Sequence, residues 1–136
     1  MHTQKSINEL SYKIVGCAIE VHRHLGPGLL ESVYESCLVE ELRSSKLKTE
    51  TQVCVPVIYK GKNLNSNLRI DILVEDTVVL EIKCVEKLLQ LHKAQLLSYL
   101  RLMGKPKGFL INFYCTNITE NLIPYVTKDF SKLLKE

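Results

Sequence analysis

The most informative segment of the chain is residues 68–84, LRIDILVEDTVVLEIKC. Apolar residues occupy every second position on each side of Glu75-Asp76-Thr77, and a period of two is typical of β-strands. The three polar residues between the two runs can form a tight connection, so the segment predicts a β-hairpin. We expect one core layer to receive Ile70, Ile72, Val74, Val78, Leu80 and Ile82.

The opposite face of this hairpin carries charged residues. Alternation places Asp71, Glu81 and Lys83 on that face, and the short turn brings Asp71 roughly opposite Glu81. Cross-strand Cβ atoms lie only about 4.5–5.5 Å apart, so two carboxylates would repel each other there. A raised pKa, a neighbouring cation or a bound metal ion would make the arrangement favourable. A hard divalent cation such as Mg²⁺ takes oxygen ligands and suits such a site.

A plain ion cluster on a half-exposed sheet is the alternative interpretation of the same three residues. Such clusters are common on protein surfaces and contribute little to stability. The rest of both strands is apolar enough to be covered by other elements, and charges on a covered face need a partner. The spacing alone leaves the two interpretations open.

Helical periodicity appears on both sides of the hairpin. Apolar residues recur in steps of three and four over residues 7–25, 30–42 and 88–102, which predicts three helices. The first helix is expected to begin at Ser6-Ile7-Asn8-Glu9, which fits a capping box with Ser6 as the cap. Gly26-Pro27-Gly28 should end it, because the residue before proline is disfavoured in a helix.

Two more strands complete the predicted core. Residues 53–59 alternate and precede a turn, and residues 108–113 form a short apolar run. An edge strand at 122–126, limited by Pro124, and a closing helix at 128–134 are weaker predictions. The order α-α-β-β-β-α-β predicts a mixed α/β fold with a mixed central sheet flanked by helices.

Composition predicts one globular domain over residues 1–136. The chain is 46% hydrophobic and 24% charged, as expected for a domain with a single core. The five cysteines form no C-x-x-C pair, so neither a zinc framework nor a disulfide scaffold is indicated. No run of 18 apolar residues occurs, and the first residues do not resemble an export signal. We therefore expect a cytoplasmic protein with reduced thiols that does not enter a membrane.

The net charge of +3 does not by itself identify a nucleic-acid binder. Residues 81–107 are more basic than the whole, since six Lys or Arg residues stand against two Glu residues. This local excess favours a polyanionic partner, although solvated helix faces show the same pattern.

The order of motifs along the chain resembles a known superfamily. Asp71, then Glu81-Ile82-Lys83 after a hairpin, then Gln95 and Tyr99 on the next helix look like the PD-(D/E)XK nuclease superfamily, in its Q-x-x-x-Y subgroup. The segment GLLESVY, residues 28–34, resembles the signature of the small GxxExxY family, and so do residues 59–61 and 108–113. The similarity spans about residues 7–113. The proline of the superfamily's name is replaced by Ile70, which preserves the strand and leaves Asp71 in place.

The resemblance implies a restriction-endonuclease-like core and a set of catalytic residues. Asp71 and Glu81 would hold a divalent metal, Mg²⁺ with Mn²⁺ as a substitute, and the main-chain carbonyl of Ile82 would be a further ligand. Lys83 would activate the attacking water and stabilise charge on the phosphate. Glu31 would add a carboxylate on the metal side. Its alternative role is to complement the dipole of the second helix, where an acid in the first turn is favourable.

The third helix would complete the site. Gln95 and Tyr99 are four residues apart and share a helix face. The resemblance turns this face toward the carboxylates, with Gln95 as a catalytic residue and Tyr99 on the substrate. Tyr99 could equally fill the core and Gln95 lie at its boundary. The other expected substrate-binding residues are His92, for which a packing or bystander role is the alternative, and Lys87 and Lys93.

The function implied is hydrolysis of phosphodiester bonds in nucleic acid, with DNA favoured over RNA and a role in DNA processing or repair. A catalytically silent module that retains the nuclease fold and binds nucleic acid or protein is the alternative, because fold does not fix function. A domain of this size could also act as a homodimer to hold a duplex.

Overall fold

The computed structural model describes residues 2–136 and contains helices on both sides of a sheet. The helices are α1 (Gln4–Leu25), α2 (Glu31–Ser44), α3 (Gln90–Met103) and α4 (Lys128–Ser131), with a 3₁₀ turn at Ile118–Asn121. The strands are β1 (Thr49–Cys54), β2 (Val57–Tyr59), β3 (Lys62–Leu64), β4 (Arg69–Val74), β5 (Val78–Lys83), β6 (Lys107–Asn112) and β7 (Leu122–Val126).

The main sheet has five strands in the order β1-β4-β5-β6-β7. Strands β5 and β6 are parallel and the other neighbouring pairs are antiparallel, so the sheet is mixed as predicted. Helix α3 connects the parallel pair, which cannot be joined by a tight turn. The edge strand predicted at residues 122–126 is confirmed as β7, whereas the closing helix is shorter than predicted and ends at Ser131.

Apolar residues cover both faces of the sheet. One core cluster joins α1 and α2 to residues such as Leu80 and Ile111, and the second joins α3 to residues such as Val79 and Leu110. Strand β5 is buried along most of its length because it lies in the middle of the sheet between these layers. The arrangement is consistent with the restriction-endonuclease-like core that the resemblance implied. Among residues 2–136, none of the helices has the length and apolarity needed to span a membrane.

Two local predictions are wrong. Helix α1 begins earlier than expected, because Thr3 is the N-cap and its hydroxyl accepts from Ser6 N at 3.0 Å. The strand predicted over residues 53–59 is interrupted at Pro56, which has no N–H to donate. Its second half, β2, pairs only with β3 and forms a separate two-stranded sheet.

Ile70 lies on the opposite side of the sheet from its predicted partners. It packs in the cluster beneath α3, whereas Ile72 packs in the cluster with α1 and α2. The alternation changes at Asp71, which lies opposite Gln52 of β1 between the pairs Thr51↔Ile72 and Val53↔Ile70. Gln52 has a φ of +50°, and positive φ interrupts the regular pleat of a strand.

The turn before α2 depends on Tyr34. The Tyr34 hydroxyl donates to Gly26 O and accepts from Leu29 N at 3.3 Å, so one side chain holds both ends of the turn. Gly26 and Gly28 have φ of 67° and 102°, values that glycine adopts without strain. The Tyr34 ring is fully buried and stacks on Phe113, with centroids 4.4 Å apart.

Removing this hydroxyl should loosen the turn. Tyr34→Phe is expected to lower the free energy of unfolding by about 1–3 kcal/mol, because Gly26 O and Leu29 N lose their partner. Urea denaturation measures the change. Tyr12→Phe is the matched control, since Tyr12 is 83% exposed, and should cost less than about 0.5 kcal/mol. Equal effects of the two substitutions would contradict the role given to Tyr34.

Candidate active site

Strands β4 and β5 stop pairing regularly at the predicted acidic pair. Regular pairing runs from Val74↔Val78 to Ile72↔Leu80. Beyond it, Asp71 N donates to Glu81 Oε1 at 3.2 Å, and Ile82 N donates to Asp71 Oδ2 at 2.8 Å. Each carboxyl group thus accepts from the main chain of the opposite strand. The structure brings Asp71 and Glu81 together, as the alternation predicted, but through bonds between side chain and main chain.

Burial dominates the electrostatics of Glu81. The residue is only 7% exposed, and this desolvation, followed by the charge of Asp71, raises its pKa to about 8. The Asp71 N–H and the nearby Lys83 ammonium act in the opposite direction and lower the pKa less. At neutral pH the Glu81 carboxyl therefore holds a proton, and a cation bound beside it would displace that proton.

Lys83 lies at the end of β5, where its main chain is fixed by β6. Lys83 O accepts from Phe113 N at 2.9 Å. Since Phe113 also stacks on Tyr34, the residue links the turn before α2 to the strand that carries Glu81 and Lys83. The Lys83 side chain is half-buried and close enough to Glu81 to affect its pKa.

Asn112 holds the loop that follows Lys83. Its side chain is buried, accepts from Val85 N at 3.1 Å and donates to Val85 O at 2.8 Å. The same oxygen accepts from Tyr114 N at 3.2 Å. Sequence reasoning gave Asn112 no role, although a polar residue that ends a buried apolar strand is a signal that could have identified it.

Two further residues beside Asp71, Gln52 and Glu35, were not identified from the sequence. Gln52 Nε2 donates to Glu35 Oε1 at 2.9 Å and lies 3.4 Å from Asp71 Oδ1. Burial raises the pKa of Glu35, and the charge of Asp71 raises it further, so Glu35 is within electrostatic reach of the pair. Glu35 follows Glu31 by four residues and therefore shares its helix face, which is the signal available from sequence.

Glu31 is not part of the acidic pair. It is the first residue of α2, is exposed, and borders a surface depression together with Cys84. Its charge raises the pKa of Cys84, after the larger effect of burial. Within residues 2–136, no group of three or more Asp, Glu, His or Cys side chains is arranged to hold a metal ion. The role of Glu31 as a metal ligand therefore stays a prediction.

Helix α3 brings one predicted residue to the carboxylates. Burial raises the pKa of Tyr99, and so do the charges of Glu81 and Asp71, which places its phenol near both acids. Gln95 is half-buried one turn earlier on the same helix. His92 Nδ1 accepts from Leu89 N at 3.0 Å and so caps the helix, and its role in substrate binding stays a prediction.

The two lysines predicted to bind substrate line a groove on the surface. Lys87 and Lys93 line a groove of about 520 Å³ with Tyr125 of β7, and Lys93 Nζ is 5.4 Å from the Tyr125 ring centre. Strand β7 is three strand spacings, or about 14 Å, from the strand that carries Asp71. Leu110, the register partner of Glu81, also lines this groove, and the substrate-binding role of the two lysines stays a prediction.

The fold and the paired carboxylates define a nuclease-like protein, and comparison with protein families agrees. The family model of the PD-(D/E)XK nuclease superfamily matches residues 8–123. The chain belongs to this superfamily, which implies a nucleic-acid substrate and a divalent metal ion. Searches of curated proteins and of solved structures gave no significant match.

The raised pKa of Glu81 predicts how stability depends on pH. In the unfolded chain Glu81 loses its proton near the ordinary glutamate value of 4.5, whereas in the folded chain its pKa is about 8. The folded state therefore binds more protons between these values, and stability falls as pH rises through this window. Glu81→Gln removes the effect.

We expect Glu81→Gln to gain on the order of 2–4 kcal/mol of unfolding free energy relative to wild type between pH 4.5 and pH 8, without divalent metal. Denaturation at both pH values measures the difference. Glu9→Gln, at an exposed position, should show no such gain. If the unfolding free energies of wild type and Glu81→Gln changed in parallel with pH, the burial of a protonated Glu81 carboxyl would be contradicted.

Asn112 should fix the loop after Lys83. Asn112→Ala is expected to cost about 2–3 kcal/mol of stability, because it leaves polar atoms of Val85 without partners. In this variant the Val85 and Tyr114 amides should exchange faster than they do in the wild type, and amides of the β5 core serve as the internal reference. Asn121→Ala removes only a bond to Asn117 O at 2.9 Å on an exposed turn and serves as the control. Unchanged hydrogen exchange at the Val85 amide would contradict the role given to Asn112.

Proposed function

We propose that this protein is a metal-dependent nuclease of the GxxExxY subgroup that hydrolyses phosphodiester bonds in DNA, in a DNA-processing or repair role. The observation that carries the proposal is the pair of carboxyl groups on Asp71 and Glu81, each bonded to the main chain of the other strand, with Lys83 beside them. A cytoplasmic location is part of the proposal, and the free state of all five cysteines supports it.

The residues present fit a divalent cation. Two carboxyl groups crowd one another at the end of β4 and β5, and the buried one is protonated because nothing nearby fully compensates its charge. Asp71 and Glu81 would hold Mg²⁺ or Mn²⁺, with the Ile82 carbonyl as a further oxygen donor. When bound, such an ion acts as a Lewis acid and lowers the pKa of water.

The remaining residues have separate tasks in this proposal. Lys83 orients the attacking water and stabilises negative charge that develops on the phosphate, a task suited to an ammonium group. Gln52 keeps the Asp71 carboxyl in place, and Asn112 fixes the chain that follows Lys83. Gln95 and Tyr99 present polar groups from α3 to the same end of the sheet, and Glu31 adds negative charge near Cys84.

A catalytically silent binding module is the second candidate. The observation in its favour is that, over residues 2–136, only two carboxyl groups meet closely and no third ligand side chain joins them. Such a protein would bind nucleic acid and show no cleavage.

Metal titration tests the site directly. Calorimetry is expected to show that Mn²⁺ binds wild type and binds Asp71→Asn at least about tenfold more weakly, because one anionic ligand is lost. Binding below pH 8 should release a proton from Glu81, so the measured heat should vary with the ionisation enthalpy of the buffer. Asp129→Asn, at an exposed acid on α4, is the control.

Cleavage assays on single- and double-stranded DNA and RNA separate the two candidate functions. Lys83→Gln is expected to keep Mn²⁺ binding and lose about 100-fold or more of the cleavage rate. Equal metal affinity of wild type and Asp71→Asn would overturn the proposed site. Good metal binding without cleavage of any of the four substrates would favour the silent module.

A further inference from the structure

The small hairpin formed by β2 and β3 projects from the main sheet. Its strands pair only with each other, through Val57↔Leu64, Ile58↔Asn63 and Tyr59↔Lys62. Apolar side chains on it remain open to solvent: Ile58 is 57% exposed and Tyr59 is 59% exposed. Exposed apolar surface of this kind is typical of a binding site.

The hairpin and the residues that join it to β4 are basic. From Val55 to Ile70 the chain carries Lys60, Lys62 and Arg69 and no acidic residue. These sixteen residues thus hold as much net positive charge as the whole chain, whose net charge is +3. Lys60 Nζ lies 5.5 Å from the centre of the Tyr59 ring, so an aromatic surface and a cation stand side by side. This combination is complementary to a polyanion that carries apolar faces.

The tip of the hairpin has a defined shape. Lys60 and Gly61 connect the pair Tyr59↔Lys62, and their φ values of 49° and 80° are those of a type I′ turn. Such turns continue the twist of the two strands and make a compact ribbon. Two strands of three residues reach about 10 Å, which compares with a depth of about 8.5 Å for the B-DNA major groove.

The base of the hairpin adjoins the acidic pair. Val55 N donates to Leu68 O at 2.9 Å, and Cys54 pairs with Arg69. Arg69 is two residues, or about 7 Å of strand, from Asp71. The hairpin therefore extends from the same end of the sheet that carries the carboxyl groups, whereas the β4–β5 turn, where Thr77 contacts His2, lies at the other end.

We propose that the β2–β3 hairpin is a substrate-gripping arm that enters the major groove of B-form duplex DNA and holds its phosphates with Lys60 and Lys62. This inference rests on the proposed nuclease function and specifies its substrate as a DNA duplex. The A-form groove of double-stranded RNA is too narrow to admit such a ribbon. A second copy of this chain is a poorer occupant, because two such hairpins would bring like charges together.

Binding measured in EDTA tests the arm without cleavage. Fluorescence anisotropy with a short DNA duplex and the matching RNA duplex compares wild type with Lys60→Gln/Lys62→Gln. The control is Lys5→Gln/Lys135→Gln, which removes the same charge at exposed positions joined by a main-chain bond at the far end. Lys60→Arg/Lys62→Arg retains the charge and should keep DNA affinity within about twofold.

The hairpin double substitution is expected to weaken DNA binding at least about tenfold near 0.1 M salt and to reduce the salt slope by about 1.8, while the control changes neither. The proposed arm would be overturned if both glutamine variants lost the same DNA affinity. It would also be overturned if the hairpin variant lost the same affinity for DNA and for RNA. A loss of dimerisation on analytical ultracentrifugation, with DNA affinity unchanged, would assign the hairpin to a second copy instead. Absence of cleavage with metal would refute the nuclease function but leave the binding result intact.

Discussion

The reciprocal bonds between Asp71 and Glu81 are the constraint around which the rest of the molecule is arranged. At the point where β4 and β5 separate, each side chain replaces a main-chain partner of the opposite strand. The main-chain groups of Asp71 and Ile82 remain satisfied although regular pairing ends there. The consequence is a buried carboxyl group on the central strand β5, and this burial raises the pKa of Glu81.

Several distant segments support this end of the sheet as one unit. Tyr34 closes the turn before α2 and stacks on Phe113, whose N–H fixes Lys83 O. Asn112, next to Phe113, holds the chain just beyond Lys83. The turn before α2 and the end of β6 are therefore in physical contact, and a change in either would be transmitted to the position of Lys83.

The two ends of the sheet differ in character. The end that carries the carboxyl groups also carries Tyr99, the basic hairpin and the loop held by Asn112. At the opposite end lie the β4–β5 turn and the start of α1, where Gln4 N donates to Leu134 O at 2.7 Å. The candidate catalytic groups thus lie at the end where β4 and β5 separate, and the segments at residues 4 and 134 meet at the other.

The sequence by itself determined the helices, the central strands and the proximity of Asp71, Glu81 and Lys83. These follow from local periodicity and a short turn, which act over a few residues. Only the tertiary structure decided that the strands separate at Asp71, that Ile70 faces the other core, and that Gln52 connects Glu35 to Asp71. It also decided that Pro56 releases the β2–β3 hairpin from the sheet. These outcomes depend on burial and on hydrogen bonds between segments far apart in the chain, which no local pattern records.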